Sequence, residues 1–331
     1  MNSILLTGAS GFLGGYLVQA LSGRGYSVRA LYRNTLPTPA LQHLPGVEWV
    51  QADLLDVYDV EAVLEGIEGV IHSAATVSFA AGDADALLHN NRETTANLVD
   101  GMIDAQISRL VHVSSVAAIG RSKEGAVLTE EVLWEESKSN SVYARSKWAA
   151  EAEAWRGAGE GLSVAIVNPG IILGAPLQPS GWHSGSAALM GVVNREFPFY
   201  TDGINGWVDV ADVVKAILLL LESPIAEERF ILAQNASYKE VFTLMAQALG
   251  KKPPHIRATP WLSGLVWRWN AIRSAFGKPV TVTKETARTA QQQVRYSSDK
   301  FRNAFPQYVF TPLEETVEWM AKAFRTESGT E

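Results

Sequence analysis

The sequence predicts an α/β fold in which a parallel β-sheet is flanked by helices. The first half of the chain alternates short β-rich runs with helical stretches, the pattern of strands joined by right-handed crossovers. A glycine-rich turn follows the first strand and opens the first helix, a connection typical of doubly wound sheets. With 331 residues, 47% of them hydrophobic and 19% charged, the chain can build a large core. We therefore expect a Rossmann-type doubly wound parallel sheet with a smaller, mostly helical C-terminal region.

The predicted elements follow one another in a regular order. Strands are predicted at Ser3–Thr7, Ser27–Leu31, Val47–Ala52, Val70–His72, Leu110–Ser114 and Ser163–Asn168. The helices between them are predicted at Phe12–Ser22, Val57–Leu64, Asp85–Ala105 and Val142–Trp155. Residues 169–206 are rich in proline and glycine, so we expect a long irregular excursion there, of the kind that often forms a binding loop. Regular structure resumes with a helix at Ala211–Glu222 and a strand at Arg229–Leu232.

The charge, the cysteine content and the apolar runs of the chain argue against several classes of binding partner. The net charge of −7 argues against a nucleic-acid partner, which needs clustered lysine and arginine. The chain has no cysteine, which excludes disulfides and thiolate metal sites and fits a cytoplasmic location, and its histidines lack metal-ligand spacing. The longest unbroken apolar run, Ala216–Leu221, is too short to cross a bilayer. The tryptophan-rich segment Trp261–Phe276 is interrupted by Arg268 and Arg273, so we expect no membrane partner.

The turn after the first strand has glycines at positions 8, 11 and 14. Glycines in such a turn permit a tight bend, close approach of the backbone to a pyrophosphate, and close packing of helix on strand. The N-terminus of the following helix offers unpaired N–H groups to phosphates. We therefore predict a dinucleotide site, with a merely structural turn as the alternative. The residues assigned to this site are Gly8, Ser10, Gly11, Phe12, Leu13 and Gly14.

The end of the second strand indicates which dinucleotide binds. An NAD site usually has Asp or Glu there for the ribose 2′-hydroxyl, whereas an NADP site has an arginine nearby. Residues 28–33 read Val-Arg-Ala-Leu-Tyr-Arg, without an acid. Arg33 can pair with a 2′-phosphate, so NADP is favoured over NAD; the alternative is a solvated surface role for Arg33. Arg29 is a second cation that would compensate for the loss of Arg33.

Three residues form a candidate catalytic group. Tyr143 and Lys147 are four residues apart in a predicted helix and therefore share one face. A phenol with a pKa of about 10 is a poor acid–base catalyst near neutrality, and a neighbouring ammonium should lower the pKa of Tyr143. Ser115 follows a predicted buried strand, where its hydroxyl can polarise a carbonyl. His72, at the end of another strand, is expected to pack beside the cofactor rather than act as a base.

Together these motifs resemble the extended short-chain dehydrogenases/reductases of the NAD-dependent epimerase/dehydratase superfamily, and the match runs through most of the chain. Within that superfamily the sequence is similar to the group of dihydroflavonol reductases, cinnamoyl-CoA reductases and bacterial aldehyde/ketone reductases. The supporting stretches are Thr7–Gly14, Tyr26–Arg33, Ala52–Leu54, His72–Ala75, Val113–Ser115, Tyr143–Lys147 and Val167–Gly174. The resemblance also implies a homodimer through helices 85–105 and 142–155.

The resemblance implies roles for the residues that match. Ser115 would hold the substrate oxygen, Tyr143 would transfer the proton, and Lys147 would bind the nicotinamide ribose and tune Tyr143. Asn91 matches the asparagine of the family's fourth helix and joins this catalytic set, although Thr94 departs from the usual glycine. Asp53 would contact adenine, and residues 169–172 would pack on the nicotinamide end. The further cofactor contacts implied are Asp53, Leu54, Ala74, Ala75, Thr76, Tyr143, Lys147, Pro169, Gly170, Ile171 and Ile172.

Departures from the family patterns leave the substrate open. Gly120 stands where plant dihydroflavonol reductases read the flavonoid with asparagine, and Asn140–Val142 replaces the Asn-Trp-Tyr of cinnamoyl-CoA reductases. Sugar-nucleotide dehydratases follow their catalytic hydroxyl with Asp-Glu, whereas Val116 and Ala117 follow Ser115 here. Dehydratase chemistry is therefore disfavoured, while epimerase chemistry is not excluded.

The expected activity is NADPH-dependent reduction of an aldehyde or ketone carbonyl on a small-molecule substrate, or the reverse oxidation of an alcohol. A sugar-nucleotide epimerase is the alternative, and a non-catalytic cofactor sensor is a third. Residues 1–168 with about 207–235 would form the NADP-binding domain. Residues 169–206 with about 236–331 would form the substrate-binding region.

Two further patterns are better explained by structure than by chemistry. Asp209 precedes a predicted helix and Asp212 lies in its first turn, where acids cap the helix and suit its dipole. In the tryptophan-rich segment, apolar residues recur at helical spacing and predict a core-facing helix. Trp261 and Trp267 fall off that stripe and are candidates for a substrate entrance or a partner surface.

Overall fold

The computed structural model describes residues 1–76, 84–120, 126–137, 140–259 and 289–328. Strands β1 to β14 are Ser3–Thr7, Ser27–Tyr32, Val47–Gln51, Gly69–His72, Arg109–Val113, Val127–Leu128, Ser163–Pro169, Ile171–Leu173, Phe199–Tyr200, Ile204–Asp209, Glu228–Leu232, Gln234–Ser237, Ile256–Arg257 and Arg295–Tyr296. Helices α1 to α10 are Phe12–Gly23, Pro39–Gln42, Val57–Leu64, Ala84–Asp104, Val142–Gly159, Ala188–Asn194, Val210–Glu222, Tyr238–Ala248, Asp299–Ala304 and Leu313–Ser328. Short 3-10 helices lie at Val116–Ala118, Pro179–His183 and Gly185–Ala187.

Seven parallel strands form the central sheet in the order β11-β7-β5-β4-β1-β2-β3. The chain runs outward from β1 to β3 on one side and returns to β4, β5, β7 and β11 on the other. The strand order therefore reverses between β1 and β4, and doubly wound sheets bind ligands at the carboxyl ends of strands at such a point. The predicted Rossmann-type sheet is confirmed, and each of its strands lies within one residue of its predicted bounds.

Helices cover both faces of this sheet, because its inner strands are apolar on both sides. On one face, α1 and α7 bury residues such as Leu17 and Ile217 together with Phe301 of α9. On the opposite face, α3, α4 and α5 form a second cluster that includes Leu98 and Ala154. The helices packed on either side therefore fix the positions of the carboxyl ends of β1, β4 and β5 relative to one another.

The structure corrects one prediction, because residues 169–206 are not an irregular excursion. The segment contains the end of β7, all of β8, the helix α6, the short β9 and the start of β10. β8 pairs in parallel with β10, and β10 pairs antiparallel with β12, forming a three-stranded sheet. The prediction was wrong because these strands are stabilised by pairing with distant parts of the chain, which proline and glycine content does not reveal.

The C-terminal part of the chain packs mainly on this second sheet. Trp207 of β10, Met245 of α8 and Val317 of α10 are fully buried in one cluster. β14 then pairs in parallel with β6, which returns the chain to the side of the central sheet. In the ranges given above, no helix is both long and apolar enough to cross a membrane. The predicted tryptophan-rich helix, with Trp261 and Trp267, lies outside the described residues.

Candidate active site

The glycine-rich turn lies between β1 and α1, where the strand order reverses. Gly8 has a φ of +68°, in the left-handed region, and a Cβ on it would lie 2.7 Å from the backbone nitrogen of Ala74. A Cβ on Gly14 would collide with the carbonyl oxygen of Gly8. Gly11 is the N-cap of α1 and has no side chain to cap it, so the first-turn N–H groups remain available to an anion. The turn therefore fits the pyrophosphate of a dinucleotide.

The other residues assigned to the turn divide between the core and solvent. Leu13 is buried beneath the turn, whereas Phe12 is half-buried with its ring edge-on to Tyr16 at a centroid distance of 5.8 Å. Ser10 is exposed and faces a cavity of about 280 Å³. The residues lining that cavity are Ser10, Arg33, Asn34, Thr35, Leu36 and Gln178. The structure thus places Arg33 and Ser10 of the glycine turn on the same cavity.

Arg29 points away from that cavity, contrary to the expectation that it would compensate for Arg33. Its guanidinium donates to the Glu48 carboxylate at 3.2 Å. It also donates to the carbonyl oxygens of Val63 at 2.9 Å and Glu65 at 2.8 Å. These acceptors hold Arg29 against α3 and its C-terminal turn, so Arg33 is the arginine at the cavity.

Asp53, predicted to contact adenine, and Leu54, predicted to contact the cofactor, follow the carboxyl end of β3. Asp53 is half-buried, and its Oδ1 accepts from the backbone N–H of Leu55 at 3.1 Å. Leu54 is 7% exposed and packs in the core against α3, so a cofactor there would meet its backbone rather than its side chain. Ala75, predicted to line the cofactor, follows β4 and is exposed.

A buried chain of hydrogen bonds connects the glycine turn to α4. The Thr7 hydroxyl accepts from the N–H groups of Ser73 and Ala74, at 3.1 and 3.0 Å, and meets His72 Nδ1 at 2.8 Å. His72 Nε2 meets the Thr95 hydroxyl at 3.0 Å, and that hydroxyl donates to the Asn91 carbonyl oxygen at 2.9 Å. Because the Thr95 hydroxyl donates its hydrogen to the Asn91 carbonyl, it accepts a hydrogen bond from His72. The neutral His72 imidazole therefore carries its proton on Nε2.

His72 is a neutral member of this chain rather than a base. Burial, and secondarily the charge of Lys147, lower the pKa of His72 to about 3. His112 on β5 lies beside it, with ring centroids 5.2 Å apart, and burial lowers its pKa well below the ordinary value. Both imidazoles are therefore uncharged near neutral pH, as expected for groups that pack beneath a site.

Asn91 joins three elements at the predicted nicotinamide end. Its Oδ1 accepts from the Thr76 N–H at 2.7 Å, and its Nδ2 donates to the Thr76 carbonyl oxygen at 3.0 Å. The same Nδ2 lies 3.1 Å from the Ser146 hydroxyl on α5. Asn91 is 3% exposed, so in this structure its side chain positions the segment after β4 against α5.

Ser115, Tyr143 and Lys147 converge at the carboxyl end of β5. The Tyr143 and Ser115 side chains share a hydrogen bond. Lys147 Nζ donates to the Val113 carbonyl oxygen at 2.9 Å, and the residue is 4% exposed. Burial lowers the pKa of Lys147 to about 8, while the charge of Glu151 acts in the opposite direction. The arrangement can present a hydroxyl pair and a buried ammonium to one carbonyl group.

The pKa of Tyr143 shifts in the direction opposite to the prediction. Burial raises it, and the hydrogen bond with Ser115 offsets this only in part. The expected lowering by Lys147 was wrong because the ammonium is directed at the Val113 carbonyl, and apolar surroundings disfavour a phenolate. Tyr143 is therefore protonated near neutral pH, which is the state of a proton donor.

The four residues predicted at the nicotinamide end lie where β7 of the central sheet is followed by β8. They are Pro169, Gly170, Ile171 and Ile172. Pro169 is opposite Leu232 of β11, and the Gly170 N–H donates to the Leu232 carbonyl oxygen at 3.0 Å. Ile171 and Ile172 are half-buried and pair with β10. These residues join the two sheets at the carboxyl edge of the central one, the edge at which Ser115 also lies.

Gly120 explains one departure from the reductase patterns. A Cβ at this position would collide with the carbonyl oxygen of Leu133. A side chain at position 120 can therefore contact a substrate only if the Leu133 backbone moves. Substrate recognition must come from other residues.

The acidic pair on α7 has the structural role that was predicted. Asp209 Oδ1 accepts from the Ala211 N–H at 2.6 Å, which caps the helix, and its Oδ2 accepts from the Thr316 hydroxyl at 2.7 Å. Asp212 accepts from the N–H of Thr311 at 2.7 Å. Both acids therefore attach the C-terminal segment to α7.

A buried ion pair behind the site was missed by the sequence analysis. Glu151 is 2% exposed, and its Oε1 lies 2.9 Å from Arg229 of β11. Its Oε2 accepts from the Ser114 hydroxyl at 2.6 Å and from Asn168 Nδ2 at 2.8 Å. The signal was present in the spacing, because residues 143, 147 and 151 repeat every four positions and share one face of α5.

The doubly wound sheet, the glycine turn and the Ser-Tyr-Lys group define an extended short-chain dehydrogenase/reductase. Residues 4–233 match the model of the NAD dependent epimerase/dehydratase family. The chain belongs to that family, whose members use a nicotinamide cofactor, and it is accordingly an enzyme of an oxidoreductase-like class.

Relatives and a solved structure agree with this assignment. A Synechocystis sp. protein provisionally named dihydroflavonol 4-reductase is 31% identical over 301 residues, covering 89% of this chain and 87% of its own. Cinnamoyl-CoA reductase 1 of Arabidopsis thaliana is 27% identical over 266 residues, covering 76% of each chain. The crystal structure of the protein gox2253 is 28% identical, covers all of both chains and superposes with a TM-score of 0.81.

Proposed function

We propose that this enzyme uses NADPH to reduce an aldehyde or ketone carbonyl on a small organic molecule, and catalyses the reverse oxidation of the alcohol. The observation that supports this most directly is the convergence of Ser115, Tyr143 and Lys147 at the carboxyl end of β5. The reductase names of the two relatives described above point to the same reaction class.

The proposed roles follow from the state of each side chain. The bound nicotinamide would supply the hydride. Ser115 donates a hydrogen bond to the carbonyl oxygen and stabilises the negative charge that develops on it. Tyr143, kept protonated by its burial, transfers its phenolic proton to that oxygen. Lys147, as an ammonium, would donate a hydrogen bond to the ribose of the bound nicotinamide nucleotide.

The preference for NADPH over NADH rests on the cavity beside the glycine turn. Arg33 contributes the positive charge there, and Ser10, Asn34 and Thr35 contribute polar groups that can bind phosphate oxygens. β2 ends in Tyr32 without a carboxylate that would repel a 2′-phosphate.

The proposal is tested by following NADPH and NADH oxidation by the pure protein with a panel of aldehydes, ketones and sugar nucleotides. We expect NADPH consumption with at least one aldehyde or ketone, and a much slower reaction with NADH. Tyr143→Phe is the control for background oxidation. Conversion of a sugar nucleotide without net NADPH consumption would instead establish an epimerase.

A further inference from the structure

Glu151 is a carboxylate buried directly behind the proposed catalytic group. Trp155 of α5 donates to its Oε1 at 3.3 Å, and its other partners come from three different strands. Ser114 lies at the end of β5, Asn168 is on β7 and Arg229 is on β11. Arg229 in turn donates to the carbonyl oxygen of Glu130 at 2.9 and 2.6 Å, in the segment after β6. A buried charge with this many partners is costly to maintain, which calls for an explanation beyond packing.

Two of these contacts act on Ser115 or on the residue next to it. Ser114 is its direct neighbour and donates to Glu151 at 2.6 Å. Asn168 Nδ2 bridges Glu151, at 2.8 Å, and the carbonyl oxygen of Ser115, at 3.1 Å. The carboxylate therefore holds the residue before Ser115 by its side chain and Ser115 itself by its main chain.

The same carboxylate acts on Lys147, one helical turn earlier on α5. The groups that interact electrostatically with Lys147 include Glu151 on α5, His72 on β4 and His112 on β5. Both histidines are buried and neutral near pH 7. Glu151 therefore supplies the negative charge that favours the ammonium form of Lys147 against the cost of burial.

We propose that Glu151 is a positioning residue for this site, which fixes Ser115 through Ser114 and Asn168 and keeps Lys147 protonated during the reaction. The effect of Glu151 on turnover rests on the proposed function. Its electrostatic part concerns Lys147 alone and is measurable without turnover.

Glu151→Gln separates the charge of this residue from its shape. A glutamine has one acceptor oxygen, and Arg229, as a cation, would take it. The new amide group would then face Asn168, whose own amide must turn away and release the Ser115 carbonyl. We expect turnover to fall, and its loss at alkaline pH to begin about one pH unit lower, because Lys147 has lost its counter-charge.

The pKa of Lys147 is followed directly by NMR of the ε-carbon in protein labelled with [ε-¹³C]lysine, with the resonance assigned from Lys147→Arg. We expect Glu151→Gln to lower that pKa by about one unit. Glu153→Gln is the matched control, because it removes another partnered carboxylate from α5, one that pairs with Arg92 and Arg156 on the side facing α4. It should leave both the pKa and the pH profile unchanged.

Arg229→Met distinguishes the proposal from simple loss of stability. This variant also breaks the ion pair, but it leaves the carboxylate without its counter-charge, so the pKa of Lys147 should rise. If Glu151→Gln does not fold, the expected rise of the Lys147 pKa in Arg229→Met still tests the proposal. An unchanged pKa of Lys147 in both variants would overturn the proposal. Wild-type turnover in Tyr143→Phe would instead overturn the proposed reaction and leave the electrostatic role standing.

Discussion

At the scale of single residues, the site keeps two imidazoles neutral and one ammonium buried. His72 on β4 and His112 on β5 have lowered pKa values, whereas the buried Lys147 has a pKa of about 8 and lies near Glu151. Charge at the carboxyl edge of β5 thus comes from Lys147 rather than from histidine. Tyr143 lies beside it in its protonated form, because burial raises its pKa.

Tyr143→Phe removes the transferable proton but keeps the ring. We expect NADPH affinity to stay near that of the wild type while turnover falls by roughly 10²–10⁴-fold, the usual contribution of a positioned general acid. Stopped-flow measurement of hydride transfer, with NADPH binding measured by fluorescence, checks both parts. Wild-type turnover in a reaction limited by chemistry would remove Tyr143 as the proton donor.

Arg33→Ala tests the choice of cofactor. A hydrogen bond to a charged group contributes about 1.5–3 kcal/mol, so NADPH affinity should fall by roughly ten- to a hundredfold while NADH affinity barely changes. Arg29→Ala is the matched control, since Arg29 is held by Glu48 and by the carbonyls of Val63 and Glu65. Titration calorimetry with NADPH and NADH on each protein distinguishes a phosphate-binding role of Arg33 from a structural one. Equal losses for NADPH and NADH would show that Arg33 is structural.

At the scale of elements, local patterns predicted most of the architecture. The glycine turn, the strands of the central sheet and the Asp209 cap follow from residues within a few positions of each other, so they could be predicted from the sequence. β8 could not be predicted in the same way, because it depends on pairing with β10. The spacing of residues 143, 147 and 151 indicates that Glu151 shares the face of α5 with Tyr143 and Lys147, but its ion pair with Arg229, far away in the chain, could not be predicted.

The segment after β8 folds back onto the glycine turn and should respond to cofactor. Tyr16 of α1 donates to the Ala175 carbonyl oxygen at 2.5 Å, and Gln178 lines the cavity beside Arg33. We expect NADPH to slow amide exchange across residues 175–178, with further protection in 170–206 when substrate binds. Exchange mass spectrometry compares the free, cofactor-bound and ternary states, and residues 246–250 at the end of α8 serve as the reference. Unchanged exchange at saturating NADPH would show that this segment does not close on the cofactor.

At the scale of the whole molecule, the site reduces the stability of the fold. A lysine whose folded-state pKa lies below its unfolded value disfavours folding when it must be protonated. For Lys147 the two values are about 8 and 10.5, so the cost is fully present below pH 8 and disappears as the pH rises to 10.5. The difference corresponds to about 3 kcal/mol in the free energy of unfolding.

Lys147→Met measures this cost. Relative to the methionine variant, wild-type stability should increase between pH 8 and 10.5 and stay level below pH 8. Urea unfolding of both proteins at several pH values gives the difference, and groups common to the two cancel. A difference in stability that does not change with pH would show that Lys147 titrates as an ordinary exposed lysine.

The place of β11 in the central sheet affects how the protein is made. β7 pairs with β5 on one side and with β11 on the other, yet β11 follows it only after β8, α6, β9, β10 and α7. A nascent chain leaving the ribosome at about 5–20 residues per second therefore exposes the outer edge of β7 for several seconds before its partner emerges. An open strand edge is a template for intermolecular pairing. Chaperone co-expression should therefore raise the soluble yield, and a chain truncated between β7 and β11 should aggregate.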